Sequence, residues 1–554
     1  MGFIKPTPPP YDPIAWNTKP YGERAELACK AWAVQGYGTP IGAYTLYILK
    51  VAFYIYMWTF FTSFTPGLGE IAHWRAWIFQ PIAFQKAILW SMLFEILGLG
   101  CGSGPLTGRY FPPIGGFLYF LRPGTTKLPL YPALPLLGGT RRSILDVLLY
   151  AALLALIVRA LIAPAIAFEH VLPIVTLLPL LGMMDRTLFL AARGEHYWTT
   201  AVCFLFAATG GGAYGWLPGA KAVQLALWFW AGFSKLNRHF PYVVGVMTSN
   251  SPFTRFAWMR KLMYRDFPND VNPSLLARIA GHWGTAVELG IPIILLLSPT
   301  GSYAHIAGMA LMLGLHVYIT SNVPMGVPIE WNFMVVYAAF FLFWAQADVS
   351  LLTMPLPLAV FLAVMLLALP LIGNIYPRAL SFLVSMRYYA GNWAAGVWLF
   401  KTGSHKKLEK LTTSARWVPD QLRLFYSEAD TIAILSKVMA FRLMHLHGRA
   451  FSELIPRAVP RFEDYEYVEG EVMAGLILGY NFGDGHLHDE KLVKAVQEQC
   501  GFAPGELRCV FIESEPLLST DLQYRIHDAH DGNIAAGAIS AARLRNRQPW
   551  QTQS

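Results

Sequence analysis

The chain has 554 residues, 55% of them hydrophobic and only 14% charged, with a formal net charge of +9. A soluble chain of this length carries roughly a quarter charged residues, and here apolar runs of the roughly 20 residues that span a bilayer recur from position 43 to near 400, so a purely soluble protein is excluded. Five scattered cysteines without a CxxC pair exclude a disulfide framework or a thiolate metal site, and no nucleic-acid motif accompanies the positive charge, which suits loops facing anionic lipid.

In chain order, residues 1–42 read as a Pro-rich cytosolic tail (KPTPPPYDP) without the h-region of a cleaved signal. Residues 43–400 read as an all-α, polytopic membrane domain. Its candidate spans cover 43–63, 82–101, 144–168, 170–190, 197–216, 221–240, 281–298, 303–322, 330–347 and 356–374, about ten helices in all. A weaker aromatic stretch at 379–400 reads as an interfacial helix. Lys and Arg concentrate in alternate loops: Arg109, Arg122, Lys127, Arg141 and Arg142; then Arg186 and Arg193; then Arg255, Arg260, Lys261, Arg265 and Arg278. The opposite loops hold little beyond Arg75 and Lys221. This asymmetry predicts both termini in the cytoplasm. Gly-rich LGLGCGSGPLTG, at the end of the second span, lacks the Lys-Ser/Thr of a phosphate loop and suits close packing.

After residue 401 the composition turns polar. Residues 401–554 predict a small α+β cytosolic domain, with a helix in SEADTIAILSKVMAFRLMHLHG capped by Ser427 and Asp430, a second helix from about Asp489 to Cys500, strands in ELRCVFIESEPL and LQYRIHDA, and a hairpin turn at His530-Asp531-Gly532-Asn533.

Ionisable groups within spans are functional candidates by default. The charge topology places many of them at one depth near the cytoplasmic leaflet: Lys235 and Asn237 at the end of the sixth span, His196 and Tyr197 at the start of the fifth, His282 and the deeper Glu288 in the seventh, His316 in the eighth, and Glu330 and Asn332 at the start of the ninth. Trp228 and Trp230 add an aromatic wall. Snorkelling favours Lys and Arg at such a boundary, not three histidines and two glutamates. A carboxylate as deep as Glu288 needs a proton or a cation, and Lys235 or a histidine is the natural partner. Arg159, mid-span in the third helix, is expected to pair with Glu95 or Asp185. The layer suits a base and a proton shuttle in a lipid-accessible pocket. Each member also has a plainer reading as an interfacial or structural residue. In GYNFGDGHLHDE, His486 and His488 could ligate a divalent metal; a polar turn leading into a helix is the alternative.

The order of these motifs carries a resemblance. GEHYW (His196), AGFSKL (Lys235), HWGTAVELGIPIILLL (His282, Glu288), LGLHVYITSN (His316) and IEWNFMVV follow one another as in the horizontally transferred transmembrane superfamily, which includes vitamin K-dependent gamma-carboxylase. The resemblance covers roughly residues 80–350. It implies an enzyme of the carboxylase or epoxidase type, a lyase or oxidoreductase, acting on a reduced quinone. It makes Lys235 the base and His196 its helper; the shared depth adds His316 and Glu288 around them, with Tyr197, Asn237, His282, Glu330, Asn332, Trp228 and Trp230 as candidate substrate contacts. The carboxylase has a large lumenal domain that this chain lacks, so quinone or acyl-lipid chemistry is implied more strongly than glutamate carboxylation. The chain as a whole resembles an uncharacterised family of bacterial transmembrane proteins. A non-catalytic lipid or quinone carrier, or a scaffold docking a soluble partner through residues 401–554, are the competing readings.

Overall fold

The computed structural model describes residues 4–103, 108–110, 115–135, 137–206, 214–322, 328–413 and 415–552. Helix α1 (Tyr21–Gln35) precedes the membrane region. Then follow α2 (Ile41–Thr62), α3 (Pro81–Ile96), α4 (Ile144–Ile162), α5 (Phe168–Met184), α6 (Arg186–Ala191), a π-turn over Gly194–Trp198 running into α7 (Thr199–Cys203), α8 (Leu217–Ser234) and α9 (Phe240–Thr248). After a two-stranded ribbon, β1 (Tyr264–Asp266) and β2 (Asp270–Pro273), come α10 (Leu275–Leu297), α11 (Tyr303–Thr320), α12 (Ile329–Phe340) and α13 (Leu356–Ile375). Among the described residues five helices, α2, α4, α10, α11 and α13, are long and apolar enough to cross a membrane. The other expected spans hold shorter or less apolar helices.

Sequence accounts for where these helices start and stop. Ser143 and Asp146 form a reciprocal capping box that opens α4, and the Asp146 carboxylate also holds Lys127 at 2.7 Å. α3 starts on Pro81 and is buried on every side from Ala83 to Ile96, which makes it the central helix of the bundle. Its Lys86 donates to the Phe61 carbonyl at 2.9 Å, closing the C-terminal end of α2. Gly98 ends the turn after α3 at φ +70°, and a Cβ there would lie 2.0 Å from the Gly116 backbone nitrogen. A Gly98→Ala exchange therefore combines left-handed strain with a backbone collision. It is expected to cost about 2 kcal/mol or more, read as a lower unfolding midpoint in detergent; an unchanged midpoint would contradict the close approach.

Arg159 lies in the last turn of α4 and is exposed, so it is not the mid-span partner of Glu95 or Asp185; as a cation at a helix C-terminus it sits where the helix dipole favours it. Asp185 is instead held by Arg142 at 2.8 Å.

The part of the chain outside the long apolar helices differs from the sequence reading at both ends. The stretch 379–400 does not form an interfacial helix. It leads into strand β3 (Ala395–Lys401), so the sheet begins six residues before the expected boundary at 401. With β4 (Tyr465–Glu469), β5 (Leu507–Ile512), β6 (Asp521–Asp528) and β7 (Gly532–Ser540), it forms an antiparallel sheet in the order β4-β3-β5-β6-β7. Trp398 and Phe400 pack into the core shared with the apolar helices, while Ala395, Val397 and Leu399 face a second core that joins helices of the C-terminal part to α1, α9 and the start of α10. Buried on both faces, β3 loses the polar alternation that marks a half-exposed strand and reads as one apolar run.

The N-terminal segment is not a free tail either. α1 packs on α14 (Glu428–Met444), Tyr21 and Ser452 share a hydrogen bond of 3.3 Å, and Lys5 pairs with Asp430 at 2.5 Å. The loop 97–142 reaches the same unit: the Tyr119 hydroxyl donates to the Leu476 carbonyl at 2.5 Å and Arg109 to that of Gly475 at 3.2 Å. Arg186 donates to the His486 carbonyl, and His239 meets Glu515 at 2.7 Å. Three of the basic loops thus lie on one side of the bundle, against the sheet-bearing unit.

A candidate site at the membrane boundary

Lys235 is the residue that caps α8, and it forms an ion pair with Glu288, thirteen residues into α10. Both side chains are nearly sequestered, at 11% and 5% exposure. AGFSKL explains how the helices come close enough. A Cβ at Gly232 would lie 2.8 Å from Leu289 Cγ and 3.1 Å from the Leu289 backbone nitrogen, so the glycine lets α8 lie against α10 beside Glu288. Gly232→Val is accordingly expected to separate the helices and loosen the pair. Cross-linking of cysteines placed on α8 and α10 would report it, and wild-type cross-linking in the variant would contradict it.

The remaining predicted residues fall into two further groups. His316, buried in α11, has both ring nitrogens engaged: Trp228 Nε1–H donates to Nε2 at 3.0 Å, and Nδ1 meets Asn332 Oδ1 at 2.7 Å. Asn332 Nδ2 in turn donates to the Pro328 carbonyl at 2.9 Å. This chain fixes the neutral tautomer with its proton on Nδ1. His196, in the π-turn, accepts from Trp331 Nε1–H at 2.9 Å through Nδ1, and its ring lies 4.5 Å from that of Tyr197. Glu330 accepts from the Cys101 N–H at 3.2 Å and pairs with Lys50 at 3.0 Å.

Three consecutive residues at the start of α12 therefore address three different helical segments: Glu330 faces α2, Trp331 the π-turn and Asn332 α11. IEWN is the hub of the polar layer. Beside it, Arg193 pairs with Glu195 at 3.2 Å, its guanidinium 5.1 Å from the Trp331 ring and 4.7 Å from that of Phe482. Arg193 occupies the left-handed region at φ +53°, a strained conformation for a side chain of this size. Glu95 and Glu330 both crowd Gly100, where a Cβ would meet their oxygens at 1.9 and 3.1 Å. Sequence reading had not assigned Lys50, Arg193 or Glu195. Lys50 carries a signal, a single cation inside the apolar run YILKVAF, whereas Arg193 and Glu195 look like ordinary loop charges.

Asn237 and Trp230 serve the backbone. The Asn237 carboxamide oxygen accepts from the N–H groups of His239 (2.7 Å) and Phe240 (3.0 Å) at the start of α9, and Trp230 Nε1–H donates to the Leu366 carbonyl at 2.7 Å. His282 is exposed on α10.

A cleft of about 820 Å³ opens where α8 and α10 meet the sheet-bearing unit. Its wall runs along both sequence neighbours of Lys235, Ser234 and Leu236, and along Asn237 and His282, while Lys235 itself turns to Glu288. Glu515, on the loop between β5 and β6, meets Arg238 at 3.2 Å and His239 at 2.7 Å and closes the far side.

Of the two proposed metal ligands, His486 is held by a carboxylate, while the ring nitrogens of His488 have no hydrogen-bond partner among the described residues. His486 Nε2 lies 3.0 and 3.2 Å from the two Glu513 oxygens. Burial works against both charges, yet Glu513 raises the imidazole above its usual value, and His486, the Ser514 N–H and Arg387 hold Glu513 down to about 2. His488 is fully buried, and Asp489 caps α15 (Glu490–Cys500) through the Lys491 N–H at 2.9 Å. Among the described residues no three His, Cys, Asp or Glu side chains converge as metal ligands.

No curated protein and no solved structure matches the chain. A family model described as transmembrane protein of unknown function (DUF3556) matches residues 1–554, the whole length of the sequence, and the chain belongs to that family.

Proposed function

We propose that the chain is an integral membrane enzyme that receives a quinone-like or acyl-lipid substrate in the cleft and acts on it with Lys235 and Glu288. The observation that carries this reading is an ion pair sequestered in the helical bundle, directly behind the wall of a large cleft at the water–lipid boundary. In the pair, Glu288 holds the free lone pairs and Lys235 the donors. Glu288 would accept a proton from a weakly acidic substrate, while the ammonium steadies the anion left behind. His316, with both ring nitrogens engaged, positions Trp228 and Asn332 and does not shuttle protons.

The motif order supports kinship with the carboxylase-like superfamily and a bundle of about ten spans. The N-terminal segment and the sheet-bearing unit touch one another, which supports placing both termini on one side. The basic loops on that side support the cytoplasmic face of a bacterial inner membrane.

The test is the double variant Lys235→Met/Glu288→Gln, which keeps the site neutral. Lipid and quinone pools of cells carrying it are expected to accumulate one species relative to wild type. Identical pools with a folded variant would overturn the catalytic role. One observation favours a binding role without turnover: Lys235 is already occupied by Glu288. Tight retention of an amphiphile by a protein that converts none would establish that reading.

A further inference from the structure

We infer that the cleft recognises a phosphate-bearing anion presented as a lipid headgroup; this rests on the proposal that the cleft receives a membrane amphiphile and names its class. Four arginines line it, Arg238, Arg278, Arg387 and Arg545, against the single carboxylate of Glu515. The charge is not internally balanced. Glu515 is shared by Arg238 and His239, and Arg387 is held by Ser514 Oγ at 2.8 Å and the Asn392 carbonyl at 3.2 Å. Among the described residues the guanidinium groups of Arg278 and Arg545 have no hydrogen-bond or ion-pair partner.

Arg278 is also placed where its own helix disfavours it. It lies in the first turn of α10, at the positive end of the helix dipole, where an anion rather than a cation is stabilised. An anion in the cleft meets both the dipole and the guanidinium. Guanidinium forks match phosphate oxygens bidentately, which favours a phosphate over a simple carboxylate or halide.

The rim points to a lipid as the carrier of that phosphate. Leu517 and Leu518, on the loop from the water-facing sheet, are 46% and 81% exposed, and Leu236 on the membrane side is 57% exposed. The Leu517 N–H donates to the Asn374 carbonyl at 2.9 Å, which fixes this apolar loop to the end of the membrane helix α13. Water-exposed leucines held at a membrane boundary beside unpaired arginines form a surface for acyl chains below a charged headgroup.

The experiment is calorimetric titration of the purified full chain in non-ionic detergent with three probes: dioctanoylphosphatidylglycerol, dioctanoylphosphatidylcholine and inorganic phosphate. The anionic lipid is expected to bind about tenfold or more tightly than the zwitterionic one, the value of one charge-assisted hydrogen bond. The preference is expected to vanish in Arg278→Gln/Arg545→Gln and to be weakened but not abolished in Arg278→Lys/Arg545→Lys, which keeps the charge at these accessible positions but loses the bidentate fork. Equal affinity for both lipids overturns the anion assignment and leaves the amphiphile cleft standing. Binding of neither lipid overturns both. Inorganic phosphate binding as tightly as the anionic lipid assigns the cleft to a soluble anion and overturns the lipid assignment.

Discussion

Lys235→Met is expected to lower the stability of the detergent-solubilised protein by about 3 kcal/mol, and Glu288→Gln by a similar amount, because each exchange strands an almost fully buried charge. Desolvation opposes both ions, so their mutual attraction does little more than offset that cost. Removing one partner leaves the other's penalty uncompensated. The double variant removes both charges together and is expected to recover most of the loss, giving a coupling energy of about 2 kcal/mol or more in a thermal double-mutant cycle. Stability and function then part company: the double variant folds but is expected to be inactive. Additive losses in the two single variants would mean that the charges do not depend on one another.

Arg193→Ala carries the second large effect. Arg193 and Glu195 are 2% and 1% exposed, and Arg193 is the cation paired with this carboxylate, which the Tyr388 hydroxyl meets at 3.5 Å. Losing the guanidinium leaves Glu195 buried near Glu95, without its cation. A loss of about 3–5 kcal/mol is expected, enough to abolish accumulation of a marginally stable protein. Alanine keeps a Cβ, so the left-handed strain at this position remains and offsets none of the loss. Arg193→Ala/Glu195→Gln should restore accumulation. A single variant as stable as wild type would show that the pair contributes nothing to folding.

Much of the membrane region was legible because charges inside apolar runs are conspicuous. Lys235 and Glu288 are lone ions at similar depth, and the structure pairs them. The capped helix at Ser427 and the hairpin near Gly532 were legible too, since local hydrogen bonding and turn chemistry act within a few residues. What escaped was non-local. The stretch AGVWLFK is apolar on both faces because two different cores cover it, and an apolar run does not disclose whether it is strand or helix. α1 was hidden behind a proline-rich start, and its packing against α14 joins residues some four hundred positions apart. The cleft was illegible for the same reason: Arg278 and Arg545 converge only once the sheet is seated on the bundle. His316 and His196 were read as chemistry from their residue type, but their tryptophan partners, far off in sequence, decide what their nitrogens are free to do.

The measurement closest to the central claim is an experimental density map of the full chain in nanodiscs of its native lipid. An elongated density is expected in the cleft, its head within hydrogen-bonding reach of Arg278 and Arg545 and its body passing Leu236 toward the Lys235–Glu288 pair. A cleft holding only ordered water, with lipid density confined to the outer faces of the helices, would contradict the account.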